Sequence, residues 1–182
     1  MATRHDVRVL KTRQKLQRSL LALLKDSRIE DISITEVCSE AGLNRNTFYA
    51  HYTDLYQLLD EVKSTYLEYF ISEISEYRKT GAGTQKMITY FLKLIDASRD
   101  FFSVLFSDNS GPVFLRSLVS MCLEDAVSHV RPELESMSVS DYSAFVIGGV
   151  SNMIHEWFRN DNPISAEDMG ARINYFVYRI VR

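Results

Sequence analysis

Apolar residues along this chain recur at helical rather than strand spacing. Leu16, Leu20, Leu23 and Leu24 fall at i, i+4, i+7 and i+8, which makes one stripe of a helix over about 7–25. Ser33 followed by Glu36 has the spacing of a capping box and predicts a short second helix. Ala41-Gly42 ends it, because glycine accepts the left-handed turn that other residues resist. Asn44 is a suitable cap for a third short helix over 45–52. Thr53 caps again, and Asp54 suits the first turn of a long helix over 54–79, whose inner face is Leu55, Leu58, Leu59, Val62, Tyr66, Tyr69 and Phe70.

Thr80-Gly81-Ala82-Gly83-Thr84 is the clearest break in the pattern. Beyond it Met87, Tyr90, Phe91, Leu94 and Ile95 mark a fifth helix, and 101–106 a short sixth. Pro112 suits the first position of a seventh, which runs to about 130. Tyr142, Phe145, Val146, Gly149, Val150, Met153, Ile154, Trp157 and Phe158 follow an i, i+3, i+4 pattern through an eighth. Ser165 with Asp168 caps a ninth, with the stripe Met169, Ile173, Phe176, Val177 and Ile180. No strand pattern remains. The expected fold is all-α with about nine helices: an N-terminal three-helix domain over 1–53 and a helical bundle over 54–182, with helix 54–79 connecting the two.

Composition agrees with this picture. Seven glycines and three prolines in 182 residues are too few for an all-β chain of tight turns. Charge adds something the pattern lacks. The net charge is −3, yet residues 1–18 carry Arg4, Arg8, Lys11, Arg13, Lys15 and Arg18 against the single acid Asp6. A basic end on an acidic body points to a local polyanion contact, although a basic helix face in water has the same composition. Cys38 and Cys122 are too few for a disulfide framework and sit among apolar or small residues, so two buried free thiols are expected. The N-terminus has no signal-like apolar core, and the longest apolar run, 144–150, is far short of a membrane span. The expectation is a cytoplasmic protein with no membrane partner.

Residues 33–52, SITEVCSEAGLNRNTFYAHY, carry the most specific chemistry. Two short capped helices flank a glycine turn, and Val37, Leu43 and Phe48 can pack over Leu16 or Leu20. That is the spacing of a helix-turn-helix. The other face of its second helix presents Arg45, Asn46, Thr47, Tyr49 and His51. Arg45 suits a guanine edge and Asn46 an adenine edge, while Thr47, Tyr49 and His51 suit phosphates. An enzyme is a poor competitor. There is no glycine-rich phosphate loop, nucleophile elbow or His-Glu-x-x-His pair, and His5, His51, His129 and His155 are scattered. No metal and no cofactor are expected. A helical adaptor without DNA binding is a further alternative, against which the basic end and the Arg45–His51 face count.

The same segment resembles the DNA-binding domain of the TetR/AcrR family of regulators. Ser33, Val37-Cys38, Ala41-Gly42-Leu43 and Thr47-Phe48-Tyr49-Ala50-His51-Tyr52 stand where that family has its hydroxyl cap, apolar pair, turn and Thr-x-Tyr-x-His-Phe run. The resemblance covers roughly 10–60. It implies DNA contacts from Ser33 and Tyr52 as well. Asn46 departs from a common glycine, and Leu55 stands where the family usually has a phosphate-binding lysine. Affinity is therefore expected to lean on the first helix, through Arg4, Arg8 and Lys11, with Tyr56 a partial substitute for the lysine.

The C-terminal run YSAFVIGGVSNMIHEWF, followed by ISAEDM, resembles the last two helices of short family members, among them regulators of dihydroxyacetone kinase genes. In the family these helices build a four-helix dimer seam. The resemblance assigns Phe145, Gly148, Gly149, Asn152, Met153, Trp157, Ile173, Phe176 and Ile180 to it. Two glycines inside a helix cost about 1 kcal/mol each relative to Ala, which a closely approaching helix would explain, from a second copy or from this chain itself. The resemblance further implies a repressor that binds a palindromic operator in double-stranded DNA as a homodimer and responds to an effector. Tyr66, Phe70, Met87, Tyr90, Phe91, Phe101, Phe102, Phe114 and Met121 are the candidate effector pocket. A Met–aromatic set at helical spacing is also what an ordinary core looks like, and a C-terminal domain this short allows a protein partner as the effector instead of a small molecule.

Overall fold

The computed structural model describes residues 4–107, 111–128, 138–160 and 164–179. Among them are nine α-helices, one 3-10 turn and no strand. The chain divides into two compact units, one ending at Glu68 and the other beginning at Tyr69, a boundary that falls inside the fourth helix.

The N-terminal unit holds α1 (Arg4–Leu23), a 3-10 turn (Ile29–Asp31), α2 (Ile34–Ala41), α3 (Arg45–Tyr49) and the first part of α4 (Leu55–Lys79). Its core follows from the α1 stripe. Leu16 and Leu20 are wholly buried, as are Val37 of α2, Phe48 of α3 and Leu58 of α4. Burying a side chain of this size contributes about 1.5–3 kcal/mol, so these five residues supply much of what holds so small a unit together.

The helix boundaries are set by local chemistry. Ser33 Oγ accepts from Glu36 N while the Glu36 carboxylate accepts from Ser33 N, completing the capping box at α2. Gly42 ends α2 with φ 64° and ψ 39°, a conformation that costs glycine nothing. Two details differ from expectation. The cap of α4 is Asp54 rather than Thr53, because Asp54 Oδ1 takes Gln57 N at 2.8 Å while Thr53 N donates to Gln57 Oε1 at 2.7 Å. The third helix ends at Tyr49 rather than running to 52, and the chain closes in turns as His51 N and Tyr52 N both donate to Phe48 O.

The C-terminal unit holds the rest of α4, α5 (Thr84–Ala97), α6 (Arg99–Ser107), α7 (Gly111–Ser128), α8 (Val139–Arg159) and α9 (Ala166–Arg179). In it α5 packs on α7 and α9, and α8 packs on α7 and α9. Ser138 and Asp141 form a second capping box at α8, and Ser165 Oγ accepts from Asp168 N at α9. The interior is aromatic. Phe70 meets Phe91 and Phe102 edge to face, and Phe101 meets Phe102 and Phe114 in the same way. Such pairs add about 0.5–1.5 kcal/mol each beyond the area they bury. Cys38 and Cys122 are buried free thiols, one in each unit. No helix among the described residues is long and apolar enough to cross a membrane.

Candidate nucleic-acid interface

Helix α3 has five residues, too short to persist alone in water, so it depends on what fixes its ends and its inner face. Asn44 Oδ1 accepts from Thr47 N at 2.8 Å and from Thr47 Oγ1 at 3.0 Å. Leu43 N donates to Cys38 O at 2.9 Å and ties the turn back to α2. Phe48 is wholly buried and packs against Tyr49 and Tyr52. With that side anchored, the opposite side carries exposed Arg45, Asn46 and Tyr49. Arg45 Nη2 donates to Tyr49 Oη at 3.3 Å, so the guanidinium lies over the helix it belongs to. That bond raises the Arg45 pKa further, and the group stays charged at any physiological pH.

The remaining candidates on this unit divide by burial. Arg8 and Lys11 on α1 are exposed, while the Arg4 side chain lies outside the described residues. His51 and Thr47 are half-buried. Ser33 is exposed but committed to its cap, where its hydroxyl donates to Glu36 and accepts from Glu36 N. Two hydrogen bonds from Ser33 hold the Glu36 carboxyl below its ordinary pKa. Tyr52 is a correction to the sequence reading. It is 2% exposed, because the turn after α3 swings it onto Phe48, and it is core rather than surface. Leu55 is buried too, whereas Tyr56 beside it is 56% exposed.

Arg13, one of the cations of the basic N-terminal stretch, has an internal role. Its guanidinium pairs with Glu61 of α4 at 3.1 Å and sits 5.7 Å from the Tyr52 ring centroid. Gln17 Nε2 donates to the same carboxylate at 3.0 Å. Burial, with Glu61 nearby, pushes the Tyr52 hydroxyl pKa well up, so it stays a neutral phenol. This cluster joins α1, the end of the helix-turn-helix and α4. A partner 44 residues from Gln17 leaves no periodic signal by which sequence reasoning could have found it.

The candidate effector residues divide: Tyr66 falls in the N-terminal unit and the others in the C-terminal unit. Phe70, Phe91, Phe101 and Phe102 are at most 2% exposed and Met87 is 4% exposed, within the packed aromatic interior. Tyr66, Phe114 and Met121 are half-buried. Tyr90 stands apart: its ring stacks on Tyr77 at 4.2 Å and 10°, and its hydroxyl donates to Glu73. That bond, with some burial, pushes the Tyr90 pKa up to about 12.

The candidate dimer residues also divide. Phe145 is 66% and Phe176 50% exposed, Gly149 and Asn152 are exposed, and Gly148 and Met153 are half-buried. Among the described residues, a Cβ at Gly148 or Gly149 would meet no atom of another element within 4 Å. Trp157 and Ile173 are corrections. They are 4% and 0% exposed inside the protomer, where Trp157 Nε1 donates to Ile164 O at 2.7 Å. Val139 on α8 and Tyr175 on α9 are exposed as well. Ile180 lies outside the described residues.

Two capped helices around a left-handed glycine, with a polar outer helix anchored from below, define a helix-turn-helix DNA-binding protein. Comparison with known proteins narrows the class. Residues 83–179, over half of the chain, match a TetR family described as "Transcriptional regulator C-terminal region". The chain belongs to the TetR family of transcriptional regulators, and it is a regulator rather than an enzyme. Solved structures share the fold at low identity. A TetR transcriptional regulator from Streptococcus agalactiae 2603V is similar with TM-score 0.74 at 17% identity, covering 98% of each chain. The dihydroxyacetone kinase operon activator DhaS is similar with TM-score 0.68 at 16% identity, over 93% of this chain and 96% of that one. A protein from Syntrophomonas wolfei, grouped with the TetR-family regulators, is similar with TM-score 0.68 at 16% identity, over 93% and 94%. No curated protein sequence matches the chain.

Proposed function

We propose that this regulator binds a palindromic operator as a homodimer, represses the genes behind it, and releases the DNA when its C-terminal unit takes up an effector. The observation that carries the DNA-reading part is the α3 face: Arg45, Asn46 and Tyr49 are exposed on a helix pinned by wholly buried Phe48. In this reading Arg45 and Asn46 meet base edges. Tyr49, Thr47, His51, Arg8 and Lys11 meet phosphates, and Tyr56 adds a hydroxyl where Leu55 cannot.

Dimerisation is supported by the exposed apolar side chains Phe145 on α8 and Phe176 on α9 and by the open flank of Gly148 and Gly149. In a two-fold dimer the two α3 helices enter successive major grooves about 34–36 Å apart. An effector then acts by preferring a state in which that spacing is wrong, at about 1.4 kcal/mol of preference for each tenfold loss of DNA affinity. A second reading, an activator, is favoured by the likeness to DhaS, which is described as an operon activator. Both readings share the operator and the dimer.

The test is fluorescence anisotropy with DNA from the gene's own upstream region, an unrelated duplex as control, and a salt series. Selective binding by two protomers per site, weakening steeply with salt through counterion release, is the expected result. Absence of binding to any duplex at low salt, including a random-sequence pool, would overturn it in favour of a protein-interaction module.

A further inference from the structure

The interior of the C-terminal unit is filled by phenylalanine rings, but its surface carries a cleft of about 940 Å³ between the end of α4, α5 and α9. That size is ordinary for a small-molecule site. Two of its helices approach closely: a Cβ at Gly170 of α9 would lie 2.6 Å from Thr89 Oγ1 of α5. Three features of the lining point to one ligand chemistry.

The first is charge. Lys86, Lys93 and Arg179 line the cleft against a single carboxylate, Glu167, which pairs with Lys93 at 2.6 Å. The balance favours an anion. The second is an unmet acceptor. Asn174 Nδ2 donates to Gln85 O at 3.3 Å, while Asn174 Oδ1 is buried and has no hydrogen-bond partner among the described residues. Buried polar atoms in folded proteins are nearly always satisfied, and a small turn of this side chain toward the cleft would let it accept from a ligand hydroxyl, a donor that a bare anion lacks. The third is the Tyr77–Tyr90 stack, fixed by the Tyr90–Glu73 hydrogen bond, which offers a flat wall to a carbon skeleton.

We propose that this cleft binds a small hydroxylated organic anion. Its phosphate or carboxylate meets Lys86 and Arg179, a hydroxyl donates to Asn174 Oδ1, and its carbon backbone lies against the tyrosine wall. The inference rests on and deepens the effector part of the proposed function. Tyr77 belongs to α4, the helix that begins six residues after α3 ends, so an occupant holds α4, α5 and α9 in one arrangement.

The test is isothermal titration of the full chain, without DNA, using ribose 5-phosphate, citrate and uncharged ribose. The expected result is binding of one or both anions at one site per chain, none for ribose, and at least about a tenfold weaker affinity in Lys86→Ala, the loss of one charge-assisted contact. Asn174→Asp, which keeps the side chain's shape but repels an anion, should weaken it further, with thermal melts confirming that both variants are folded. Ribose 5-phosphate alone would assign a phosphate ligand, and citrate alone a carboxylate. If neither anion binds at millimolar concentration, or if both variants bind as the parent does, the proposal is wrong. No DNA is present, so that failure leaves operator binding standing, and failed operator binding leaves the cleft standing.

Discussion

Replacing Gly149 with leucine should have opposite effects on the protomer and on the dimer. Gly149 lies in the middle of α8, where glycine costs about 1 kcal/mol relative to a good helix former such as leucine. Within the protomer the first atom of the new side chain meets open space, since among the described residues no atom of another element lies within 4 Å of a Cβ built there. An isolated protomer should therefore gain about 1 kcal/mol, or roughly 2–4 °C in Tm for a chain of this size. A seam formed by a second copy reverses the balance. Four new heavy atoms on the contact surface force the helices apart, and overpacking of this kind costs about 1–3 kcal/mol for each copy's residue. A two-fold dimer meets that cost twice, so the dissociation constant should rise by about one to four orders of magnitude. Analytical ultracentrifugation across a concentration series reads the mass, and thermal unfolding reads the protomer. The expected outcome is a folded monomer with weakened operator binding. A dimer that persists with a raised Tm would refute the seam on α8, and the apolar surface at Phe145 would need another explanation.

Arg45→Ala should relax base preference at one position of each half-site, with a loss of about 1–3 kcal/mol per lost bidentate contact, while Tm moves by little because the residue is exposed; unchanged selectivity in a competition assay would remove Arg45 from the reading face. Phe48→Ala makes the complementary test, since it empties a wholly buried site at about 3–5 kcal/mol. It should melt the N-terminal unit early and abolish DNA binding, leaving the C-terminal unit's unfolding transition in place by circular dichroism. Glu36, Asp54 and Asp141 are each held below their ordinary pKa values of 4.5, 3.8 and 3.8 by the hydrogen bonds of their caps. Groups depressed in the folded state contribute stability above those values and lose it as pH falls through the folded ones, so Tm should drop between about pH 5 and about pH 2. Glu36→Gln should flatten part of that slope, and an identical slope would show that the cap carboxylate contributes nothing.

The DNA-reading segment was legible because its signals are local. Ser33 and Glu36, Gly42, and Asn44 with Thr47 each settle a boundary with residues at most three apart, and the structure keeps all three. What escaped depends on partners distant in sequence. Tyr52 carries the family's pattern, but the turn after α3 folds it onto Phe48, and nothing in the order of residues marks that inward rotation. Arg13 looks like one more cation of a basic helix until Glu61 is brought beside it. On α8 the difficulty is different. Tyr142, Val146, Val150 and Trp157 form one buried face, and Phe145, Gly149 and Asn152 an exposed one. Helical periodicity merges these two faces into one broad stripe, so it cannot say which of them stays within the protomer. The aromatic residues of the middle helices show the same limit. Their spacing marks them as inward-facing, and only the packing separates the core rings from Tyr90, which lines a surface cleft.

The burial of both native thiols bears on how the molecule can be watched at work. Cys38 and Cys122 are 3% and 5% exposed, and burial pushes both pKa values up, so neither holds the thiolate that reacts with maleimides or iodoacetamides. A cysteine placed at an exposed position away from the proposed seam and DNA face, such as Ser64, would be the thiol that takes a spin label or a fluorophore, with no need to strip out the natural pair first. Distances between two labelled copies, with and without operator or citrate, then become measurable in the otherwise unaltered protein.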